Sequence, residues 1–143
     1  MAQPDLVVIG GGPGGYVAAI RAAQRGLSVA VVEREPKLGG TCLRVGCIPS
    51  KALLESSHKY EEVQHDLAVH GVRVEGVALD LATLMKRKND VVSTLAKGID
   101  ALLKKHKISR HLGMGRLAGQ GRVEVTAADG QVTVLESPRI ILA

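Results

Sequence analysis

Residues 5–33 read Asp5-Leu6-Val7-Val8-Ile9-Gly10-Gly11-Gly12-Pro13-Gly14-Gly15-Tyr16-Val17-Ala18-Ala19-Ile20-Arg21-Ala22-Ala23-Gln24-Arg25-Gly26-Leu27-Ser28-Val29-Ala30-Val31-Val32-Glu33, and this stretch decides the fold. Asp5 to Gly10 reads as a buried strand, because Leu6-Val7-Val8-Ile9 is apolar without interruption. A glycine-dense turn follows, and then a helix from about Pro13 to Arg25, with Val17, Ala18, Ile20, Ala22 and Ala23 as its packing positions. Pro13 suits a first helical turn, where its missing N–H costs nothing. Gly26 closes the helix, and Leu27 to Val32 forms a second buried strand ending at Glu33. Strand, helix and strand within about 30 residues make a right-handed, parallel βαβ unit.

The glycines between the first strand and the helix have the spacing Gly10-x-Gly12-x-x-Gly15. Gly10 permits the tight turn, Gly12 lets backbone approach a pyrophosphate, and Gly15 lets the helix pack close to the strand. Pro13 and Gly14 complete the turn, so phosphates sit on the helix N-terminus, where free N–H groups and the dipole favour anions. Glu33 ends the second strand and accepts hydrogen bonds from a ribose 2′-hydroxyl. The alternative is a glycine-rich turn that binds nothing; strand, helix and acidic residue together favour dinucleotide binding. The pattern does not separate FAD from NAD. Arg34 leaves room for a 2′-phosphate, although Glu33 repels one.

Outward from this unit, residues 35–40 form a loop, and a long helical stretch runs from about Cys42 to Val69, interrupted near Gly46 and Pro49 and ended by His70-Gly71. Asp80 is a good N-cap for a further helix reaching about Lys105, with Leu84, Val91, Val92, Leu95, Ile99, Leu102 and Leu103 along one face. After Lys107 the period shifts to strands; Val123–Thr126 and Val132–Leu135 alternate around the hairpin signal Asp129-Gly130. Arg139 to Ala143 is a final apolar strand whose faces and edges need partners that the chain does not supply. The expected architecture is α/β over residues 1–143: a Rossmann-like dinucleotide-binding domain with a parallel sheet, flanking helices and a small antiparallel β-meander, incomplete at its C-terminus.

Composition agrees. The 143 residues amount to one domain and can bury a single core. With two Tyr, no Phe and no Trp, that core is built from Val, Ile, Leu and Ala, which suits parallel strands covered by helices. The same lack of aromatics removes the stacking platforms that single-stranded nucleic acid needs. The net charge of +5 is scattered; its densest run, Lys104, Lys105, His106 and Lys107, reads as the solvated end of a helix rather than a nucleic-acid or membrane patch. No apolar run approaches the roughly 20 residues that span a bilayer. No secretory signal is recognisable, so the expected compartment is cytoplasmic, or the mitochondrial matrix after loss of a presequence.

The chemistry lies in Gly39-Gly40-Thr41-Cys42-Leu43-Arg44-Val45-Gly46-Cys47-Ile48-Pro49-Ser50-Lys51. Four residues between the cysteines are wrong for a zinc knuckle, and no second pair completes a metal site. The choice is between two buried thiols and a reversible disulfide. Glycines before and between the cysteines, with a proline after, suggest a distorted helical turn that brings the sulfurs together, and a helix N-terminus favours the thiolate. Lys51 follows Cys47 by four and shares its helix face. These features favour the reversible disulfide.

The run Gly-Gly-Thr-Cys-Leu-x-x-Gly-Cys-Ile-Pro-Ser-Lys-Ala-Leu-Leu, Gly39 to Leu54, resembles the active-site signature of the class I pyridine-nucleotide-disulfide oxidoreductases, and the resemblance extends from Asp5 onward. Ile48-Pro49-Ser50-Lys51 is most similar to the dihydrolipoamide dehydrogenase branch; glutathione reductases usually carry Pro-Lys-Lys there, and mercuric reductases share Pro-Ser-Lys. Arg44 stands where Asn is common. The resemblance implies FAD, with Cys47 as the thiol beside the flavin, Cys42 as the interchange thiol and Lys51 near the flavin N5. By the same resemblance Glu33 holds the adenosine ribose, the segment Glu33 to Cys42 with Arg34, Gly39, Gly40 and Thr41 lines the cofactor, and Gly115 in the turn Leu112-Gly113-Met114-Gly115 reaches the adenine end.

The implied reaction is oxidation of dihydrolipoamide through the Cys42–Cys47 disulfide with NAD as acceptor, in an enzyme of 2-oxoacid dehydrogenase or glycine-cleavage complexes. Its implied partners are a lipoyl-bearing protein and a second subunit in a homodimer. The NAD-binding domain and the interface domain carrying the family's His–Glu base are not in these residues, which makes the chain an expected fragment, inactive alone. His58, His65, His70, His106 and His111 are read as surface or capping groups on helices or at their ends, with no metal. Two alternatives stand beside this one: a non-catalytic FAD- or thiol-binding module, and another disulfide reductase such as mercuric reductase.

Overall fold

The chain alternates strands and helices, as its two hydrophobic periods require. The computed structural model describes residues 3–143. In chain order the elements are β1 (Leu6–Ile9), α1 (Pro13–Gln24), β2 (Val29–Glu33), α2 (Gly40–Arg44), α3 (Cys47–His65), a 3₁₀ turn (Leu67–His70), α4 (Leu81–Lys105), β3 (Ser109–Leu112), β4 (Met114–Leu117), β5 (Arg122–Thr126), β6 (Val132–Glu136) and β7 (Ile140–Leu142). Two sheets result. The first is parallel, in the order β3-β2-β1-β7; the second is the antiparallel meander β4-β5-β6.

The central strands β1 and β2 are buried on both faces, which explains why they read as unbroken apolar runs. Leu6, Val8, Val29 and Val31 point to the helical layer and pack with Ala19, Val92, Ala96, Ile99 and Leu103. Val7, Ala30 and Val32, one residue out of step, point to the opposite layer and meet Val123 and Val125 of the meander. A one-residue slip of β1 on β2 would exchange those two layers, so the register Val7↔Ala30 is fixed from both sides.

Several local expectations are corrected. On α1, Ile20, Ala22 and Ala23 pack against the core as expected, but the fully buried positions are Gly15 and Ala19, and Val17 is exposed, because close approach to the sheet selects the smallest side chains. Likewise α4 buries Val92, Ala96, Ile99 and Leu103, while Leu95 and Leu102 face outward. Pro49 does not interrupt a helix; it is buried in the first turn of α3, where proline is tolerated, and the helical path breaks instead at residues 45 and 46 and again at Asp66, before the 3₁₀ turn. His111 lies on β3, paired with Val32, and not on a helix or at its end. The Asp80 cap forms as expected, its carboxylate accepting from the Thr83 N–H at 3.0 Å. Gly26, at φ +88, takes the left-handed turn that ends α1. The strand β7 finds β1 along one edge, while Ile141 and Leu142 stay exposed.

Candidate functional site

The site begins where β1 stops. Gly10 donates its N–H to the Val32 carbonyl at 2.8 Å, tying the turn to the end of β2. A Cβ on Gly15 would collide with the Gly10 carbonyl oxygen, so α1 can leave this turn only because position 15 is glycine. The N-cap of α1 is Gly12, with no side-chain cap, so the first-turn N–H groups remain available to a ligand.

The turn also touches the redox motif. A Cβ placed on Gly40 would lie 2.8 Å from the Gly12 Cα, and Gly39 donates its N–H to the Gly11 carbonyl at 2.8 Å. Two glycine backbones therefore pass in contact, setting the start of α2 against the nucleotide-type turn. Leu38, fully buried, sits under Gly11 and anchors the crossing.

Glu33 closes the other side. It is nearly buried; one carboxylate oxygen accepts the Gly11 N–H at 2.7 Å and the other the Glu35 N–H at 3.0 Å. Charge-assisted bonds of this kind fix the carboxylate at the end of β2. Arg34 is exposed and leans toward Glu35 at 3.7 Å. From α2, Arg44 reaches back to Glu35 at 2.9 Å, its Nε buried without an acceptor among the described residues.

Together these parts surround a cleft of about 440 Å³. Gly10, Gly12, Pro13, Glu33, Arg34, Gly40, Thr41, Cys42 and Gly115 line it. It lies at the carboxyl ends of β1 and β2, where open α/β sheets receive ligands. Gly115 is there because a Cβ would come within 3.0 Å of Ile9 and Val32; only a glycine lets β4 cross so near the sheet. Of the other expected residues, Gly14 is exposed on the first turn of α1, Gly15 and Gly39 are buried behind the wall, and Cys47 and Lys51 lie exposed on α3. Sequence reasoning missed Gly11, Arg44, Met114 and Ala143 as parts of the site or its support. The run Gly10-Gly11-Gly12 was the available signal for Gly11; nothing marked Met114 or Ala143, which contribute backbone or apolar surface.

Cys42 and Cys47 are joined in a disulfide, with Cα atoms 4.7 Å apart, well within the usual span for such a bond. The geometry comes from the corner between α2 and α3. Val45 ends α2 with its N–H on the Thr41 carbonyl, and Gly46 begins α3 with its carbonyl on the Ser50 N–H. A Cβ on Gly46 would press to 3.1 Å from the Thr41 carbonyl oxygen. Cys47 is the first residue of α3, at the positive end of a 19-residue helix, and Lys51 follows one turn later. Among the described residues no group of three or more His, Cys, Asp or Glu side chains is placed to hold a metal ion, and no helix is long and apolar enough to cross a membrane.

A parallel sheet whose glycine turn shares a cleft with one cysteine of a disulfide is the architecture of a nucleotide-binding disulfide oxidoreductase. The sequence profile of the pyridine nucleotide-disulphide oxidoreductases matches residues 4–143, and the chain belongs to that family. Within it, the chain is 53% identical over 141 residues to the mitochondrial dihydrolipoyl dehydrogenase of Dictyostelium discoideum, and 50% identical over 141 residues to that of Pisum sativum. Each alignment covers 99% of this chain but only 29% and 28% of the relative, so the chain spans less than a third of their length. The HOCl-induced flavoprotein disulfide reductase RclA from Escherichia coli, solved as a Cu(II) complex, superposes with a TM-score of 0.81 over all of this chain and 29% of that one. At 23% identity, that likeness shows a shared fold.

Proposed function

We propose that this chain is the flavin-binding and redox-disulfide part of a dihydrolipoyl dehydrogenase, oxidising dihydrolipoamide with NAD as final acceptor. One observation carries the reading: Cys42 of the disulfide lines the same cleft as the Gly10–Gly12 turn and Glu33.

The residues present fit FAD. Gly12 and Gly40 offer bare backbone where a side chain would fill the space, the α1 N-terminus would receive the pyrophosphate, and the Glu33 carboxylate would meet the ribose hydroxyls. Bound FAD supplies the two-electron acceptor that reoxidises the dithiol. The rest belongs to the chain. A thiolate of dihydrolipoamide attacks the Cys42 sulfur, the Cys42–Cys47 bond breaks, and its electron pair leaves on Cys47. The second lipoyl thiol then displaces Cys42, giving lipoamide and a protein dithiol, with two electrons and two protons transferred. The leaving Cys47 thiolate forms at the positive end of α3 with Lys51 one turn away, which favours its charge. We assign NAD binding and dimerisation to separate domains, and substrate supply to a lipoyl-bearing protein of a 2-oxoacid dehydrogenase complex. We place the enzyme in the cytosol or in the mitochondrial matrix, the latter following the mitochondrial relatives.

The test combines FAD titration of the full chain, followed by absorbance and fluorescence, with thiol counting before and after dihydrolipoamide. The expected result is one bound FAD, two new thiols, and a long-wavelength absorbance on two-electron reduction that Cys47→Ser abolishes. A folded chain that ignores FAD would refute the cofactor assignment. Bound FAD with no thiols released would leave only a binding module.

A further inference from the structure

The helix that carries Cys42 is poorly equipped to hold itself in place. With five residues and no side-chain N-cap, α2 is far below the length at which a helix is stable alone. Its position depends on tethers, and the structure shows a continuous set of them meeting at Glu35. The Glu35 carboxylate takes the Arg44 guanidinium of α2 at 2.9 Å. The Glu35 N–H is held by Glu33 at 3.0 Å, and Glu33 in turn holds the Gly11 N–H. The Glu35 and Pro36 carbonyls accept from Arg110 of β3 at 3.2 and 2.7 Å, and Arg110 is locked by Asp100 of α4 at 2.8 Å.

These bonds differ from ordinary surface pairs. The Arg44 side chain is only 21% exposed, with its Nε buried, so the pair is partly withdrawn from solvent and screening. Its removal would loosen the Arg44 end of α2, whose start stays held by the Gly39–Gly11 bond and by buried Leu43, while leaving the cysteines themselves untouched.

We propose that Glu35 and Arg44, braced by Arg110, form a positioning pair that holds Cys42 against Cys47 and thereby favours the disulfide over the dithiol. The inference rests on the reading of Cys42–Cys47 as a redox pair. Disulfide formation inside a protein depends on the effective concentration of one thiol at the other, and a tether that holds α2 near its disulfide-bonded position raises that concentration. By linkage, a contact made more fully in the disulfide form stabilises that form. Arg44 has a competing effect: a cation near Cys42 would stabilise the thiolate and so the reduced state. The two effects have opposite signs. Because Glu35 at 2.9 Å neutralises the guanidinium, positioning prevails.

The experiment equilibrates the full chain with mixtures of reduced and oxidised dithiothreitol and reads the dithiol fraction by alkylation and mass. In that exchange the dithiothreitol dithiol closes to its cyclic disulfide as the protein S–S bond opens, so two electrons and two protons move together. Arg44→Gln and Glu35→Gln should each shift the equilibrium about tenfold toward the dithiol, about 30 mV less reducing. The double variant should shift no further than either single one, since both remove the same contact. Arg44→Lys, which keeps a cation in reach of Glu35, should stay within about threefold of wild type. Circular dichroism identifies folded variants; should a single variant unfold, the exchange Glu35→Arg/Arg44→Glu tests the same pair and should restore the wild-type midpoint. A shift toward the disulfide, an additive double variant, or unchanged midpoints in folded variants would overturn the proposal. A wild-type disulfide that never opens across the range would instead sink the redox reading beneath it.

Discussion

Three helical glycines should respond to the same substitution with different signs. Replacing an exposed helical Gly by Ala ordinarily stabilises by about 0.5–1 kcal/mol, through lower chain entropy and better helix propensity. Gly98, in α4 with nothing within 4 Å of an added Cβ, should give that full gain. Gly14 in the first turn of α1 should give about half of it, because its Cβ would meet only the Ala143 side chain at 3.9 Å, an ordinary contact. At Gly15 the Cβ would overlap the Gly10 carbonyl oxygen and lie 2.9 Å from its carbon. Those atoms are backbone, held by the Gly10–Val32 hydrogen bond, and cannot swing aside. Relief requires α1 to move off β1, which costs about 1–3 kcal/mol as overpacking and more if the turn opens. Gly15→Ala should therefore destabilise by about 2 kcal/mol and lie about 3 kcal/mol below Gly98→Ala. Urea unfolding followed by circular dichroism reads this as a midpoint gap of about 1.5 M, at a slope near 2 kcal/mol/M. A Gly15→Ala chain as stable as wild type would mean that α1 is not packed on the turn in this way, and the geometry of the whole cleft would fall with it.

Glu33→Gln should cost about 2 kcal/mol in the same assay, because an amide can accept only one of the two N–H bonds that the carboxylate takes and turns its NH₂ toward the other. It should also weaken FAD at least tenfold by fluorescence titration; unchanged affinity would remove Glu33 from the ribose site. His111 predicts a pH effect. Burial holds its imidazole below the ordinary value, so the folded state resists protonation more than the unfolded chain. Stability from this group is complete above the unfolded value of about 6.5 and is lost as the pH falls from there toward the lower folded value. The difference in urea midpoint between pH 7.5 and 5.5 should shrink in His111→Gln, and an identical difference would show that the burial is not felt.

Most of what positions the site was legible because it is written in backbone requirements. Gly10, Gly12, Gly15 and Gly40 are places where a Cβ would meet neighbouring backbone, and such demands leave a mark in the sequence. The apolar runs of β1 and β2 were legible for the related reason that both faces are buried. Packing faces were harder. Ala19 and Ala96 are buried in place of the larger Val17 and Leu95, since periodicity counts hydrophobicity but not the closeness of approach that favours small residues. The strand β3, Ser109-Arg110-His111-Leu112, has a polar composition that hides its membership of a parallel sheet; its place at the edge lets Arg110 and His111 serve two different layers. Arg44 was visible as a departure from a common residue, but its partner Glu35 was not, because an ion pair between a loop and a five-residue helix has no periodic signature.

The order of the parallel sheet bears on how the molecule comes together. The pair β1–β2 is local, whereas β2–β3 and β1–β7 join distant parts of the chain, in the registers Ala30↔Ser109 and Val7↔Ile140. Closing such loops costs entropy before any contact repays it, so β3 and β7 are expected to join late. The cleft has walls from the ends of β1 and β2, from α2, from β4 and from Ala143, and so it exists only once that assembly is finished. A nucleotide seated there would bind the folded chain alone. At a thousandfold excess over its dissociation constant it would hold the fold together by about 4 kcal/mol. The cofactor would then be part of the architecture as well as of the chemistry, a cross-link without covalent bonds between the first strand and the last.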